Sequence, residues 1–549
     1  MVKIAKYSLA IFVLQFICQN AWSQNPQYAF RVSFRDKSTT PHTLSNPAAY
    51  LSSRAIDRRA KYSIAIDSSD LPVVSTYIDS VLHTTNGVLH LSSRWQNSCV
   101  LLLEDSSDIL SLLPISFVKD IRKVAYYSAG LHQRPGAEQG NSTGERPTDF
   151  DENFYGAAWS QIHLCHGEYL HQQGNMGEGK LIAVIDVGFS GVNTAAPFDS
   201  LFQQNRLLDT WNYIYDTTHV YDYSSHGTQV LSCMASYVPQ SHVGTAPKAM
   251  YALYLTDDQN SEQAIEEDNF VAAAERADSL GADLITTSLG YNTFDDPSDS
   301  YTYSDLDGHT TLVAKAANTA VHKGIFVVAS AGNEGIQTWQ HILTPGDADS
   351  AMTIGSVNNI KTYAISSGKG PNAAGVLKPN VCGQGVQAAV VSPAGTISQA
   401  TGTSYATPVI AGLTACLMQA VPDMKPLQVR ALIESVSDSF AAPTYRVGNG
   451  VPDFQKALNI VGISETNLVK SKNAFTVYPN PAGNKVFVLE RNGPGTTVAY
   501  QLYDLRGTRV QQGNIQSGGS IATYGLSRGI YLLHLNNGKH YQVIKLLLR

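Results

Sequence analysis

The sequence predicts an α/β protein built on a parallel sheet flanked by helices, with a small α+β unit before it and a β-sandwich after it. Three observations carry that expectation. Between residues 155 and 461, short apolar runs alternate with helical stretches, as in a parallel sheet whose strands are covered on both faces. Ahead of this region, residues 24–127 mix strand-like and helical periodicity, the mark of an α+β unit. Behind it, residues 474–549 show short strands separated by turn signals and no helical periodicity. The chain has 549 residues, 43% hydrophobic and 15% charged, enough for large cores. Its length suggests roughly two to four domains. A net charge of −7 offers no electrostatic footprint for nucleic acid.

Taken in order, the first element is a secretory signal at residues 1–23. Lys3 and Lys6 precede an apolar run from Leu9 to Cys18, and Ala21-Trp22-Ser23 places small residues where a signal peptidase reads. The run is too short to span a bilayer, and no other stretch is long and apolar enough to do so. Ile17 stands where a lipoprotein site at Cys18 needs a small residue. In residues 24–127, strands are expected at Tyr28–Phe34, Ser98–Leu103 and Phe117–Ala125, and helices at Asp70–Val81 and Asp105–Leu112. Residues 128–154 read as an exposed linker carrying a processing site, because Ser128–Phe150 is rich in Gly, Pro, Glu, Gln and Ser. Asn141-Ser-Thr within it matches a glycosylation sequon without further support.

The central region, 155–461, supplies the parallel strands. Apolar runs occur at Lys180–Asp186, Met250–Leu255, Ala282–Gly290, Gly324–Ser330 and Ala351–Val357, with helices expected at Ser261–Leu280 and Thr310–Lys323. Chemistry in such sheets gathers at the carboxyl ends of the strands. Residues 462–473 read as a second linker, and 474–549 as the sandwich. The cysteines beyond the signal are Cys99, Cys165, Cys233, Cys382 and Cys416. They form no CxxC pair, which argues against zinc and for small buried hydrophobes. Cys233 and Cys416 both follow candidate site residues on helices, so a disulfide between them is conceivable where geometry permits.

Four segments of the central region carry chemistry. Asp186 ends an apolar strand, where a carboxylate is costly without a partner. His226, in Ser225-His-Gly-Thr-Gln-Val230, opens a helix. Ser404 lies in TGTSYATP (401–408) at the mouth of another helix, where backbone N–H groups are free to meet an anion. Pro408 removes the N–H that would pair with the Ser404 carbonyl. Asn333, in Ser330-Ala-Gly-Asn-Glu-Gly335, follows a strand end and offers a side-chain amide. Each has an ordinary reading when taken singly: turn former, helix cap, N-cap, turn asparagine. Together they are the parts of acyl transfer by an activated serine. Histidine accepts and returns a proton near neutrality, a buried acid fixes its tautomer, and paired N–H donors hold the oxyanion.

Here the chain resembles the subtilisin-like serine peptidases, or subtilases, over about Trp159–Ala457. The motifs are IAVIDVG around Asp186, HGTQV at His226, ASAGNEG around Asn333 and GTSYATP around Ser404. The resemblance implies a seven-stranded parallel sheet and endopeptidase activity on protein or peptide substrates. Asp186, His226 and Ser404 would form the triad, with Asn333 as an oxyanion donor. Ser288-Leu289-Gly290 matches the segment that pairs with substrate, and Ala331 and Gly332 match the floor of the pocket for the residue before the scissile bond. Asn380 in Lys378-Pro379-Asn380 and Ile365 depart from the family pattern, which has Asp and Phe there.

Residues 24–127 resemble a subtilase prosegment, which implies a chain made as a zymogen. Residues 475–549 resemble the C-terminal sorting domain of type IX secretion in Bacteroidetes. The marks are Val477-Tyr-Pro-Asn-Pro481, Leu502-Tyr-Asp-Leu-Arg-Gly507, Ser527-Arg-Gly-Ile-Tyr-Leu-Leu533 and the terminal Lys545-Leu. That implies export through the type IX machinery to the cell surface or medium. Tyr531 and Tyr541 are expected in the sandwich core or edge.

The chemistry needs no cofactor. Asp257, Asp258, Glu262, Glu266, Glu267 and Asp268 crowd one segment. They are expected as a solvated acidic loop and helix N-terminus, with a calcium site or a preference for basic substrates as the alternatives. Two other functions stay open: a non-catalytic surface or adhesion protein on the same fold, and a transpeptidase or macrocyclase using the same site.

Overall fold

The computed structural model describes residues 27–127, 150–461, 469–470, 474–490, 496–504, 509–537 and 540–548. The signal at 1–23, the sequon at Asn141 and most of both linkers lie outside the described residues.

The N-terminal unit is a four-stranded antiparallel sheet. Its elements are β1 (Gln27–Phe34), α1 (Ser53–Tyr62), α2 (Ser75–Thr85), β2 (Val88–Ser93), β3 (Ser98–Leu103) and β4 (Val118–Tyr127), with strand order β2-β3-β1-β4. Alternation sorts its side chains between two cores. Phe30, Val32 and Phe34 join Val81, Leu101 and Leu103 in a core of the unit's own. Ala29, Leu91, Val100 and Val124 face the other way, into a core shared with the central domain.

Two expected helices differ. The α2 helix starts at Ser75, and Asp70 lies ahead of it, buried in an ion cluster and bonded to Arg59 at 2.6 Å and Lys323 at 2.9 Å. Ser106–Leu112 is a 3₁₀ turn capped by Asp105.

The central domain carries β5 (Leu181–Asp186), β6 (Leu207–Asn212), α3 (His226–Ala235), β7 (Met250–Leu255), α4 (Ile265–Leu280), β8 (Leu284–Thr287), α5 (Leu312–His322), β9 (Phe326–Ser330), β10 (Met352–Val357), β11 (Val381–Gln384) and α6 (Thr403–Ala420). The seven strands form one parallel sheet in the order β11-β10-β9-β8-β5-β7-β6. All five apolar runs become strands. The two outermost strands gave no comparable signal, since β6 mixes Asp209, Thr210 and Asn212 among its apolar residues and β11 is four residues long. Strand β5 shows why the runs are continuous. Ile182 and Val184 pack under α3 and α6, while Leu181, Ala183 and Ile185 pack under α4 and α5.

Both departures from the family pattern have a local reason. Asn380 accepts from Thr353 N–H at 2.8 Å through Oδ1 and donates to Glu434 at 2.8 Å through its NH2, which an Asp carboxylate is unable to do. Ile365 is exposed and fills no core position.

The C-terminal region is a sandwich. One sheet has five strands (Val469–Lys470, Thr497–Asp504, Arg509–Gln516, Gly529–Asn536 and His540–Leu548) and the other three (Phe475–Tyr478, Lys485–Glu490 and Ser520–Ala522). Phe475, Val486, Val488, Val498, Leu502, Leu533 and Leu535 fill the space between them, and Tyr531 is buried there. Among the described residues, no helix is long and apolar enough to cross a membrane.

Candidate active site

The predicted residues converge at the carboxyl end of the sheet. Asp186 is the last residue of β5 and is fully buried. Its Oδ1 accepts the Val187 N–H at 2.8 Å and pairs with His226 Nδ1 at 2.7 Å. An ionised carboxylate only accepts, so Nδ1 carries the proton and Nε2 is left as the basic nitrogen. Gly227 lets α3 come this close. A methyl group there would lie 2.4 Å from Gly188 O and 3.0 Å from Asp186 Cβ. Burial alone would lower the His226 pKa, but the Asp186 charge and hydrogen bond outweigh it, and the net shift is upward from 6.5.

Ser404 stands in the first turn of α6 and is 6% exposed. The helix continues through Pro408, and the carbonyl that Pro408 leaves without a helical partner accepts the Ser288 hydroxyl at 2.9 Å. Ser288 thereby ties the turn bearing Ser404 to the segment leaving β8. Helix α6 meets α3 beside the site. The Tyr405 ring lies 6.1 Å from the His226 ring, and its hydroxyl donates to Gln229 at 2.7 Å. Among the described residues no hydrogen bond joins Ser404 to His226; α6 and α3 meet through Tyr405.

Asn333 follows β9. Its Oδ1 accepts the Thr403 N–H at 2.9 Å and the Thr403 hydroxyl at 3.2 Å, which leaves the NH2 end as its remaining donor next to Ser404. The Thr403 hydroxyl also lies 3.2 Å from Gly332 O. Sequence reasoning missed this orienting role of Thr403, although its place directly before Ser404 offered a signal. Ser288-Leu289-Gly290 follows β8, and Ala331-Gly332 follows β9, so two backbone segments leave the sheet beside the turn that bears Ser404.

The acidic segment differs from expectation. Glu266, Glu267 and Asp268 are buried, not solvated. Asp268 meets Arg31 of the N-terminal unit at 3.0 Å, and Glu267 accepts from Tyr301 at 2.7 and 2.8 Å. The first turn of α4 faces β1 and a neighbouring loop, and burial raises the carboxyl pKa of Glu266 and of Asp257. Asp257 in turn accepts the Tyr291 hydroxyl at 2.9 Å. Among the described residues no group of three or more His, Cys, Asp or Glu side chains is placed to hold a metal ion.

The conceivable disulfide is absent. Cys233 and Cys416 are both free and buried, and Cys416 donates to Thr245 O at 3.2 Å. Burial pushes the Cys99, Cys165 and Cys233 thiols up to about 12, which makes them poor nucleophiles.

A parallel sheet with a buried Asp bonded to a half-buried His, a serine-headed helix and an oriented Asn beside it is the arrangement expected of a serine protease of the subtilisin type. The comparisons agree. The subtilase family model matches residues 177–453, and the chain belongs to that family. The Peptidase S8 propeptide domain of Bacteroidota matches residues 29–139, and the secretion system C-terminal sorting domain matches 476–549. Subtilisin of Bacillus pumilus is 30% identical over 292 residues, covering 52% of this chain and 94% of that protein. Subtilisin E of Bacillus subtilis (strain 168) is also 30% identical over 292 residues, covering 52% and 68%. The crystal structure of fervidolysin from Fervidobacterium pennivorans, a keratinolytic enzyme related to subtilisin, shares the fold with a TM-score of 0.52 at 16% identity, covering 93% of this chain and 70% of that one. The protein is a subtilisin-family serine protease with a propeptide and a type IX sorting domain, the latter indicating export.

Proposed function

We propose that the protein is a secreted serine endopeptidase, synthesised as a zymogen, that hydrolyses peptide bonds with Ser404 as nucleophile. His226 Nε2 takes the Ser404 proton as Oγ attacks the scissile carbonyl, then returns it to the leaving amine. Asp186 holds the imidazole tautomer and stabilises the imidazolium. The Asn333 NH2 and the Ser404 backbone N–H receive the oxyanion, and one such donor is worth about 10²- to 10³-fold in rate. Water then enters and His226 activates it to release the acyl group. Ser288-Leu289-Gly290 pairs with the substrate backbone, and Ala331 and Gly332 line the pocket for the residue before the scissile bond.

The observation that carries this reading is the 2.7 Å hydrogen bond from His226 to the buried Asp186, set beside Thr403-Ser404 and the Asn333 amide that Thr403 orients. Residues 1–23 direct export, 24–127 act as the inhibitory prosegment, and cleavage within 128–154 frees the catalytic domain at 155–461. Residues 474–549 then hand the protein to the type IX machinery for passage across the outer membrane. The test is labelling by a fluorophosphonate probe, wild type beside Ser404→Ala, on protein that has lost the N-terminal unit. Labelling of the wild type alone is expected; equal labelling or none refutes an activated Ser404.

A further inference from the structure

The two backbone segments that leave the sheet beside the turn bearing Ser404 do not enclose an empty slot. A third segment runs between them. The Leu343 N–H donates to Ala331 O at 3.2 Å, the Thr344 carbonyl accepts the Tyr291 N–H at 2.9 Å, and the Thr344 N–H donates to Tyr291 O at 3.3 Å. Leu343 is therefore fixed to both walls by its own backbone and its neighbour's. Its side chain touches both. A methyl group built on Gly290 would lie 2.8 Å from Leu343 Cβ and 2.9 Å from Cδ1. One built on Gly332 would lie 2.6 Å from Leu343 Cγ and 2.9 Å from Cδ1. Carbon atoms in comfortable contact stand about 3.5–4.0 Å apart, so the space between the two glycines is already taken by this leucine. Leu343 is only 7% exposed, which means that it is packed into the slot and does not hang over it.

One more group lies at the same place. A methyl on Gly332 would meet Glu334 Oε2 at 2.6 Å, and that oxygen is buried without a hydrogen-bond partner among the described residues. A long basic side chain seeking this carboxylate from the cleft would have to displace Leu343. An aromatic or branched apolar side chain would meet the same obstruction directly.

We propose, on the strength of the serine-peptidase reading above, that Leu343 closes the pocket for the side chain preceding the scissile bond and restricts cleavage to peptides with glycine, alanine or serine there. Leu343 is a specificity-determining residue and takes no part in the bond-making steps. One methylene group in a close-fitting pocket already discriminates by about 10- to 200-fold, so a whole isobutyl plug is ample to set the preference.

The experiment measures kcat/KM for the protein made as the whole chain and then freed of its N-terminal unit, on peptides that differ only at the residue before the cleaved bond: Gly, Ala, Ser, Leu, Phe and Lys. The wild type is expected to favour Ala over Phe, Leu and Lys by at least about tenfold. Leu343→Ala is expected to raise kcat/KM for Phe and Leu by a similar factor while the value for Ala changes little. Leu343→Val, a smaller change, guards against a variant that does not fold and should shift the profile in the same direction. A wild type that cleaves after Phe or Leu as fast as after Ala overturns the inference. So does a folded Leu343→Ala with an unchanged profile. Fluorophosphonate labelling run alongside separates the two levels. Labelled Ser404 with a preference for large residues sinks this inference alone, whereas neither labelling nor cleavage removes the peptidase reading and this inference together.

Discussion

Replacing Asp278 by Asn is expected to loosen the N-terminal unit from the central domain without touching the chemistry. Asp278 lies in α4 with its side chain fully buried, and it is the meeting point of three arginines from the N-terminal unit. Arg58 binds it directly, Arg59 donates at 3.0 and 2.8 Å, and Arg94 donates at 2.8 Å. Burial alone would raise the Asp278 pKa, but the three guanidinium groups outweigh it and hold the carboxyl below 3.8. Asparagine preserves the shape and removes the charge. Each arginine keeps at least one other acceptor: Arg58 has Ala282 O at 2.6 Å and the Lys323 and Asp278 backbone carbonyls at 3.2 Å, Arg59 has Asp70 at 2.6 Å and Arg94 has Glu275 O at 3.1 Å. The network therefore survives in outline while three buried cations lose their common counter-charge. Breaking a buried ion pair from one side costs about 3–5 kcal/mol. That is a factor of about 10² to 10⁴ in the affinity between the units.

The assay is size-exclusion chromatography of protein nicked in the linker by an added protease, at micromolar concentration, with release of activity followed in parallel. The wild-type fragment should co-elute with the central domain, and the Asp278→Asn fragment should separate. The sign of the pH effect is fixed by the depressed pKa. This contribution is present above the ordinary carboxyl value and is lost as pH falls through the lower, bound value, so the wild-type complex should show no Asp278-dependent weakening between about pH 5 and 8. Co-elution of the variant fragment at wild-type concentrations would refute the argument that Asp278 latches the two units.

Two further perturbations address the site. His226 is shifted upward by Asp186, and its neutral form is the base, so the acid limb of kcat/KM should fall above pH 6.5. In Asp186→Asn, burial, the largest influence on His226, is opposed only by the more weakly acting Asp257: the limb should move downward and the rate fall by about 10⁴ as the tautomer is lost, and an unmoved limb in a pH–rate profile would contradict the assignment. Ser288→Ala leaves the Ser404 carbonyl without its 2.9 Å donor in a buried turn, which should cost about 1–3 kcal/mol in calorimetric unfolding and lower kcat, whereas Ser288→Thr should restore both.

The parts of this molecule that were legible in the sequence are those in which one short segment carries its own signal. Lys180–Asp186 announces a strand buried on both faces, and an acid at its end announces a partner. TGTSYATP announces a helix mouth, and Pro408 even announces a stranded carbonyl. What received that carbonyl was not legible, because Ser288 lies 116 residues away and only the fold brings it to Ser404. The acidic segment misled for the same reason. Glu266, Glu267 and Asp268 look like a solvated helix start until the N-terminal unit is laid over them, with Arg31 supplied from a strand 237 residues distant. Edge strand β6 was missed because its neighbours cover it unevenly, so its residues need not be apolar throughout.

Leu343 shows the limit most sharply. Nothing in Ile342-Leu343-Thr344 distinguishes it from an ordinary buried residue. Gly290 and Gly332 look like open glycines that leave room for substrate. Only the registration of three separate segments shows that the room is occupied, so the identity of the cleft was written locally while its selectivity depends on how the chain closes on itself. In this chain the chemistry is expected to follow the motifs around Asp186, His226, Asn333 and Ser404, and the choice of substrate to follow Leu343, which lies outside every one of those motifs.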